Sequence, residues 1–434
     1  ITQVVFRSEN DPALMEKAGQ LGAEWVIAVE GPVEHRGADT INPNIATGQV
    51  EIVAEKLWIL NTSKVPPFPL EDMMEAAVNI TEEQRLKYRY VDLRRPRMQR
   101  NIILRSQISF AVRQYLYSQG FLELETPFLT KSTPEGARDF LVPSRIQPGF
   151  VYALPQSPQI FKQLFMVSGY EKYFQIVRCF RDEDLRADRQ YEFTQIDMEL
   201  SFPQLETIYA TVEPLVQVMC RVAGFEVPTP FPRLTYREAM DWYGTDKPDT
   251  RLPRFHRIED LFLGADLNLY GLPLVAIRTP KVGAVTRSER DAIKEFGKEK
   301  GLRVFDDVKR LERDFPEVMA KVKERVGWLE DDLLILAGAP GEIQKHRAED
   351  TVLKACGTLR LHISEKFAER HQLLDPKNLQ WLWVTEFPMF AWDEEEQRWM
   401  AEHHPFTSVY DEDLDKMTSD PAACRSKAYD LVMN

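Results

Sequence analysis

The chain has 434 residues, of which 44% are hydrophobic and 28% are charged, and its formal net charge is −13 at pH 7. This length is enough for about two to three domains with well-developed cores, and the composition is that of an ordinary soluble protein. The negative charge argues against a protein that coats nucleic acid non-specifically, although it leaves room for a local contact surface. No apolar run approaches the length of a membrane span.

Four cysteines are scattered along the chain without the Cys-x-x-Cys spacing of a metal site, at Cys179, Cys220, Cys356 and Cys424. This pattern indicates neither a zinc site nor a disulfide framework. We therefore expect a reducing, cytoplasmic setting.

Residues 1–65 alternate short apolar stretches with Gly, Pro and Asn clusters. They predict a piece of a small β-barrel with one helix, from Asp11 to about Ala18. A proline-rich linker follows at residues 64–69. Beyond it lies a basic cluster in which only Asp92 is acidic, formed by Arg85, Lys87, Arg89, Arg94, Arg95, Arg97 and Arg100. The cluster is either an RNA-backbone contact or a solvated hinge helix.

Apolar residues from Ile108 to Leu116 fall at helical spacing, and Gly120 marks the end of that helix. Residues 121–127 then predict a strand that is stopped by a proline. Residues 132–140 form a loop by composition.

A strand at residues 150–154 leads into a helix that carries Gln159 and Lys162 on one face of its first turn. A lysine there can pair with a substrate carboxylate held near the positive end of the helix. The alternative is an ordinary exposed helical lysine.

The most informative stretch, residues 173–200, predicts two strands joined by a charged loop. The second strand turns its apolar side chains one way and, the other way, the acceptors Gln195, Asp197 and Glu199. Arg181 comes at the end of the first strand, on the side shared by Gln175, Val177 and Cys179. An arginine there can hold a phosphate across from carboxylates that hold an ammonium group. The alternative is an exposed hairpin with a salt-bridged tip.

Residues 205–222 predict an apolar core helix. Residues 252–375 are rich in charged side chains and predict an α+β unit with no catalytic constellation of its own. Its expected strands are 274–278 and 333–337, and its expected helices are 288–300 and 315–326. A buried strand follows at residues 379–384, and residues 416–420 predict a surface turn.

His403 and His404 raise the question of a metal site. Adjacent residues on an extended chain face opposite ways, and no other ligand types cluster nearby. We therefore predict no metal ligand in this chain.

Several stretches together resemble one family, the class II aminoacyl-tRNA synthetases. One stretch of the chain resembles motif 2 of that class. It consists of Phe180-Arg181-Asp182-Glu183 followed by Arg189-Gln190, Glu192-Phe193-Thr194-Gln195 and Asp197. The amino-acid sequence from Arg181 to Gln190 is similar to that of the bacterial aspartyl-tRNA synthetases. Residues 132–140 resemble their substrate-covering loop, and residues 401–407 are a further match. Tyr191 and Glu386 depart from the proline and aspartate that are usual there.

The resemblance implies an α+β fold: a class II synthetase antiparallel sheet flanked by helices, with a partial N-terminal OB-fold β-barrel and an α+β insertion domain. The implied divisions are 1–65 (partial OB-fold, anticodon-binding), 66–100 (hinge), 101–250 (catalytic domain with motifs 1 and 2), 251–375 (insertion domain) and 376–434 (second catalytic part). The first barrel strands are then expected before Ile1, and the glycine-rich motif 3 after Asn434, so that this chain alone need not be active.

The implied function is ATP-dependent activation of L-aspartate to aspartyl-adenylate and transfer to tRNA(Asp), with tRNA(Asn) open as a second acceptor. ATP and Mg²⁺ are the implied cofactors, and a cytoplasmic homodimer is the implied assembly. Two alternatives stay open: a related class II enzyme for asparagine or lysine, and a non-catalytic RNA-binding paralogue.

The resemblance also implies a role for each matched residue. Arg181 is the catalytic residue, which bridges the aspartate carboxylate and the α-phosphate. The other aspartate-binding residues are Glu135, Gln159, Lys162, Asp197, His403 and His404, among which Lys162 and a histidine read the side chain. The ATP-binding residues besides Arg181 are Asp182, Glu183 and Gln190. The tRNA contacts are Arg94, Arg95, Arg186 and Arg189.

Overall fold

The computed structural model describes residues 2–7, 11–70, 80–133, 136–185, 189–262, 273–339, 348–403 and 406–434. The chain divides into two compact units, Ile1–Gln107 and Ile108–Asn434. Within the described residues, no helix has both the length and the apolar character needed to cross a bilayer.

The first unit contains two small sheets. Its elements are β1 (Gln3–Val5), α1 (Pro12–Ala18), β2 (Val26–Glu30), β3 (Val33–His35), β4 (Val50–Val53), β5 (Lys56–Asn61), α2 (Glu82–Lys87) and α3 (Arg89–Asp92). β4 pairs in parallel with β1 and antiparallel with β3, while β2 pairs antiparallel with β5. Leu14, Ala54 and Leu57 form a small buried core.

The helix predicted near the start of the chain is confirmed. Oδ1 of Asp11 accepts hydrogen bonds from the backbone N–H groups of Ala13 (2.9 Å) and Leu14 (3.2 Å), which caps the first turn of α1. Gly19 follows its last residue. The apolar pattern does not predict β3, which is only three residues long.

The basic stretch around residues 85–100 is helical and organised around Asp92, which is fully buried. The Asp92 carboxylate accepts hydrogen bonds from Arg85 (3.0 Å), Arg95 (3.3 Å) and Arg89. Burial alone would raise the pKa of Asp92, but these guanidinium groups hold that pKa below its usual value. α4 (Pro96–Ser118) begins directly after this cluster.

The second unit is mixed α+β, and its first part contains a long hairpin of two strands, β9 and β10. Its first elements are β6 (Leu122–Glu123), β7 (Leu141–Pro143), β8 (Val151–Ala153), α5 (Gln159–Val167), β9 (Lys172–Phe180), β10 (Glu192–Leu200) and α6 (Leu205–Val222). β9 pairs antiparallel with β10 and in parallel with β6, and β7 pairs with β8. The apolar face of the hairpin packs against α4 and α6 around Val112, Leu116, Phe121, Phe174 and Leu215.

A separate four-stranded antiparallel sheet has the order β12-β13-β15-β14. Its strands and the surrounding helices are α7 (Tyr236–Tyr243), β12 (His256–Arg257), β13 (Leu274–Thr279), α8 (Arg287–Glu299), β14 (Arg303–Phe305), α9 (Val308–Asp314), α10 (Pro316–Val326), β15 (Leu333–Gly338), α11 (Ala348–Lys366) and α12 (Ala368–His371). Two apolar cores lie against it, one containing Val275 and Ile335 and the other Ala276 and Leu336. Alternate residues of β13 and β15 therefore serve opposite faces.

The remaining strands of the second unit form two further sheets, β11-β16-β19 and β17-β18. They are β11 (Arg233–Thr235), β16 (Trp381–Thr385), β17 (Phe390–Asp393), β18 (Arg398–Ala401) and β19 (Tyr429–Met433), with α13 (Lys416–Ser419) between the last two. β16 pairs in parallel with β11 and antiparallel with β19. β17 and β18 form an exposed two-stranded hairpin.

Two predicted elements are wrong in extent or kind. The strand expected over residues 121–127 pairs with β9 only at Leu122 and Glu123, because the chain then turns the Thr126 hydroxyl toward Gln175 (3.0 Å). Residues 416–419 form the short helix α13 rather than a turn, since Lys416 is held by Asp413 (2.6 Å).

Candidate active site

The hairpin of β9 and β10 has the two faces that its alternating pattern predicts. In the register, Asp197 lies opposite Gln175 and Glu199 lies opposite Tyr173. The apolar side chains of β10 enter the core on the other face. The polar face therefore collects carboxylates, amides and one phenol side by side on neighbouring strands.

Lys162 reaches this polar face from the first turn of α5. Its Nζ lies 2.8 Å from Oδ1 of Asp197 and 3.4 Å from Oε2 of Glu199. The side chains of Lys162 and Asp197 are 10% and 8% exposed. A charge pair with so little solvent is sustained by its geometry, because removing either partner leaves the other buried and unmatched. Gln159 begins the same helix and is half-buried.

A hydrogen-bonded layer lies beside this pair. The Tyr173 hydroxyl donates to Oε1 of Gln175 at 3.0 Å, and the Thr126 hydroxyl donates to the same oxygen at 3.0 Å. Burial, followed by the nearby Asp197 carboxylate, raises the pKa of the Tyr173 phenol above its usual range. Tyr173 therefore remains a neutral donor inside the site.

Arg181 follows β9 directly, and its backbone N–H donates to the Tyr191 carbonyl at 2.9 Å. Its guanidinium lies 5.0 Å from the centre of the Phe193 ring, on the face that Asp197 shares by alternation. The ring limits where the guanidinium can go and leaves its N–H groups available to an anion. Arg181 and the Lys162–Asp197 pair thus lie on one face of one hairpin.

The residues predicted to contact ATP lie at the loop end of this hairpin, between β9 and β10. Glu183 pairs with Arg189 at 3.1 Å, and the backbone N–H of Asp182 donates to the Arg138 carbonyl at 3.0 Å. Arg189 and Gln190 are exposed. These contacts hold two carboxylates and one guanidinium beside Arg181.

Gln156, which the sequence does not mark as functional, binds two residues of the loop predicted over residues 132–140. Gln156 is 1% exposed, and its amide exchanges two hydrogen bonds with the Ala137 backbone (3.0 and 2.8 Å) and donates to Asp139 (2.5 Å). Phe140 then packs edge-on against Tyr191 at 5.8 Å. The signal available in the sequence was a glutamine just before the Pro158 of a helix start, which also occurs in ordinary loops.

A second group of residues that the sequence predicts as functional lies after β16. Glu386 has a φ of +55°, a conformation in which a non-glycine residue is strained. It is held by Arg425 (3.0 Å), whose other N–H groups donate to the buried Asp413. The next residue, Phe387, is buried and meets the His403 ring edge-on at 5.1 Å.

Three of the predicted site residues, Glu135, Arg186 and His404, lie outside the described residues. Among the residues that are described, no group of three or more His, Cys, Asp or Glu side chains converges in a way that could hold a metal ion.

The predicted RNA contacts of the first unit differ in exposure. Arg94 is 53% exposed and pairs with Glu24 at 2.5 Å. Arg95 is only 3% exposed and belongs to the Asp92 cluster. Because the Arg95 guanidinium is buried against Asp92, we expect Arg94 rather than Arg95 to be the residue that contacts a phosphate.

Comparison with known proteins gives one consistent family. A family described as tRNA synthetases class II (D, K and N) matches residues 81–434, well over half of the chain. Among solved structures, asparaginyl-tRNA synthetase from Pyrococcus horikoshii complexed with asparaginyl-adenylate has a TM-score of 0.46 and 19% identity, over 84% of this chain and 86% of that one.

Curated relatives match along the full length of the chain. An aspartate–tRNA(Asp/Asn) ligase of Acidobacterium capsulatum is 46% identical, covering 100% of this chain and 74% of that protein. One from Nitratidesulfovibrio vulgaris is also 46% identical, covering 100% and 71%. With its mixed helices and sheets, the chain belongs to the class II tRNA synthetases, in the branch of the aspartate–tRNA(Asp/Asn) ligases.

Proposed function

We propose that this protein activates L-aspartate with ATP to form aspartyl-adenylate and pyrophosphate, and then transfers the aspartyl group to the terminal ribose of tRNA(Asp). The observation that carries the proposal is the buried pair of Lys162 and Asp197 on the hairpin face that ends in Arg181. Aspartate brings an ammonium group and a side-chain carboxylate. These two charges match Asp197 and Lys162, one to one.

Each charge of the amino acid then has its own partner. Lys162 pairs with the side-chain carboxylate, assisted by His403 or His404, while Asp197 holds the ammonium group with Gln159 and Glu135. The family membership supports these roles. They are compatible with the positions of Gln159 and Lys162 in the first turn of α5 and of Asp197 beside Lys162 on β10. A buried site with fixed charges discriminates strongly, because a wrong side chain leaves a charge unmatched.

The first step needs positioning and charge neutralisation more than proton transfer, since the carboxylate of aspartate is already a nucleophile. The α-carboxylate attacks the α-phosphate, and pyrophosphate leaves. Arg181 bridges the two groups as negative charge builds, because a planar guanidinium offers paired donors. Its contact with Phe193 keeps it on the substrate side of the hairpin.

ATP would lie against the end of the hairpin, with Asp182, Glu183 and Gln190 as its contacts. Glu183 is held by Arg189 and so is placed before ATP arrives. Mg²⁺ would bind chiefly through the ATP phosphates and neutralise them, because the described side chains offer carboxylates at Asp182 and Glu183 but no converging set of three.

The tRNA would be contacted by both units. Arg186 and Arg189 come between β9 and β10 in the chain, and Arg94 is exposed in the first unit, where it pairs with Glu24. We assign residues 1–65 to a partial OB-fold anticodon-binding domain, 66–100 to a hinge, 101–250 and 376–434 to the catalytic domain, and 251–375 to an insertion domain. The sheets β1-β4-β3 and β2-β5 support the first assignment, and the separate sheet β12-β13-β15-β14 supports the last.

A homodimer is also part of the proposal. α4 leaves several large apolar side chains exposed along its length, namely Ile102, Ile103, Phe110 and Tyr117. Such a surface suits contact with a second copy. All four cysteines are free thiols, which fits a reducing cytoplasmic location.

The experiment is amino-acid-dependent exchange of pyrophosphate into ATP, with the full-length product of the gene and with aspartate, asparagine or lysine as the amino acid. We expect exchange with aspartate alone. Exchange with asparagine or lysine would instead identify a related synthetase, and no exchange with any amino acid would favour a non-catalytic RNA-binding paralogue. Charging of purified tRNA(Asp) and tRNA(Asn) then decides between one acceptor and two.

A further inference from the structure

Tyr173 lies on β9 and packs against α5, the helix that carries Lys162. Its side chain is fully buried, and its ring lies against Phe165 of α5, with ring centres 5.6 Å apart. Phe165 follows Lys162 by three residues and therefore shares its face of the helix. The packing of Tyr173 thus fixes the rotation of α5 and the direction of the lysine.

The hydroxyl of Tyr173 lies among acceptors and has one proton to donate. It donates to Oε1 of Gln175 at 3.0 Å, an oxygen that already accepts from Thr126 at 3.0 Å. Asp197 lies directly opposite Gln175 on the same face of the hairpin, so its carboxylate lies beside the Gln175 amide. The Asp197 carboxylate also helps to raise the pKa of the Tyr173 phenol, after burial. Asp197 is therefore the neighbouring acceptor on this face, and Gln175 would keep its hydrogen bond from Thr126 if the Tyr173 hydroxyl turned away.

Substrate binding changes the balance of charges at this point. Lys162 is the cation that Asp197 and Glu199 share at 2.8 and 3.4 Å. When the substrate's side-chain carboxylate takes a share of Lys162, Asp197 loses part of its partner while it must stay ionised to hold the ammonium group. A buried carboxylate that loses a donor is destabilised unless another donor replaces it.

We propose that Tyr173 is a positioning residue for amino-acid recognition: its hydroxyl turns from Gln175 to Asp197 as Lys162 engages the substrate, so that Asp197 stays ionised and in place. The inference rests on the proposed function and deepens it. Tyr173 acts through Asp197 and touches neither ATP nor the reacting carboxylate. Its effect therefore falls on the binding of the amino acid.

The test is Tyr173→Phe in the full-length protein, which removes the hydroxyl and keeps the ring against Phe165. A hydrogen bond to a charged group contributes about 1.5–3 kcal/mol, so the KM for aspartate in pyrophosphate exchange should rise about tenfold or more. The kcat should change less than about twofold, and the KM for ATP should be unchanged, since neither depends on Asp197.

The matched control is Tyr115→Phe, which also deletes one phenolic hydrogen bond, to the Thr211 carbonyl at 3.0 Å, but away from the site. Both variants should lower the unfolding temperature to a similar, small extent. Only Tyr173→Phe should raise the KM for aspartate. A second variant, Gln175→Met, removes the first acceptor and should raise that KM less than Tyr173→Phe does.

The exchange activity of the parent protein tests the proposed function, and the KM of the variants tests the role of Tyr173. If the parent protein exchanges with aspartate and Tyr173→Phe leaves its KM unchanged, or lowers only kcat, the positioning role is wrong and the proposed function stands. The role is also wrong if Gln175→Met has the larger effect on KM. If the parent exchanges with no amino acid, the proposed function fails, and the inference fails with it.

Discussion

Nζ of Lys162 lies 2.8 Å from Oδ1 of Asp197, and each side chain is about nine-tenths buried. The pair couples helix α5 to strand β10, and it brings two opposite charges together where little water can screen them. An amino acid with an ammonium group and a side-chain carboxylate offers the same two charges in the complementary order. The substrate can therefore replace an internal ion pair by two external ones without leaving a buried charge uncompensated.

The first prediction follows from that pair. Lys162→Met should abolish aspartate-dependent pyrophosphate exchange, and it should lower the free energy of unfolding by about 3–5 kcal/mol, because Asp197 is left buried without its cation. Exchange assays and urea unfolding measure the two effects.

Two further variants separate stability from recognition. Lys172→Met removes an exposed lysine of β9 whose Nζ donates to the Gln119 carbonyl (3.0 Å) and lies 5.6 Å from the centre of the Phe121 ring, and it should leave exchange unchanged. The double variant Lys162→Met with Asp197→Asn should regain much of the lost stability but no activity. If the double variant regains no stability, the two charges are not coupled.

The second prediction concerns Arg181. Arg181→Ala should abolish exchange while unfolding stays close to that of the parent, because the side chain is only half-buried and contacts the Phe193 ring. The control is Arg178→Ala, three residues earlier, where the guanidinium is 49% exposed and pairs with Glu192 at 2.6 Å. That variant should retain near-parent exchange. Near-normal exchange in Arg181→Ala would remove this arginine from the catalytic role.

Local patterns in the sequence were sufficient for most of the second unit. Alternation predicts the two faces of β10, and the apolar runs at 274–278 and 333–337 correspond to β13 and β15 (Leu274–Thr279, Leu333–Gly338). The predicted helices at 288–300 and 315–326 correspond to α8 and α10 (Arg287–Glu299, Pro316–Val326). These elements carry strong periodicity of their own, so tertiary context changes only their ends.

The same patterns could not predict the layer behind the site. Gln156 binds Ala137 and Asp139, which lie 19 and 17 residues earlier in the chain. Tyr173 packs against Phe165 of α5. Arg95 reads as one more basic residue in a charged run, and only the fold shows that it is buried against Asp92. The burial of a polar side chain and its pairing with a distant residue leave no periodic signal in the sequence.

The third prediction uses the difference in exposure between Arg94 and Arg95. Arg94→Ala should weaken tRNA binding and reduce the slope of log K against log salt by about one, because an exposed guanidinium can contact one phosphate. Pyrophosphate exchange, which needs no tRNA, should be unaffected. Arg95→Ala should instead destabilise the protein, since it breaks a buried contact of Asp92, and it should leave the salt slope unchanged. A reduced slope for Arg95→Ala would contradict its buried position.

The fourth prediction concerns Asp413, which is fully buried and accepts a hydrogen bond from Arg425, the residue that also holds Glu386. Hydrogen bonds from Arg425 and Lys416 hold the pKa of this carboxyl well below its ordinary value of 3.8. A carboxyl whose pKa is lowered on folding stabilises the folded state fully above the unfolded pKa. That contribution is lost as the pH falls through the folded pKa.

Asp413→Asn should therefore lower the unfolding temperature at pH 7, and the gap between parent and variant should stay constant down to about pH 5. Below about pH 4 the gap should narrow, because the parent begins to lose the contribution that the variant never had. Thermal unfolding from pH 7 to pH 3 measures it. Asp411→Asn is the control, since Asp411 is 83% exposed and its pair with Lys427 at 2.9 Å is open to solvent. A gap that widens toward acid pH would show that Asp413 is not held as a carboxylate by Arg425.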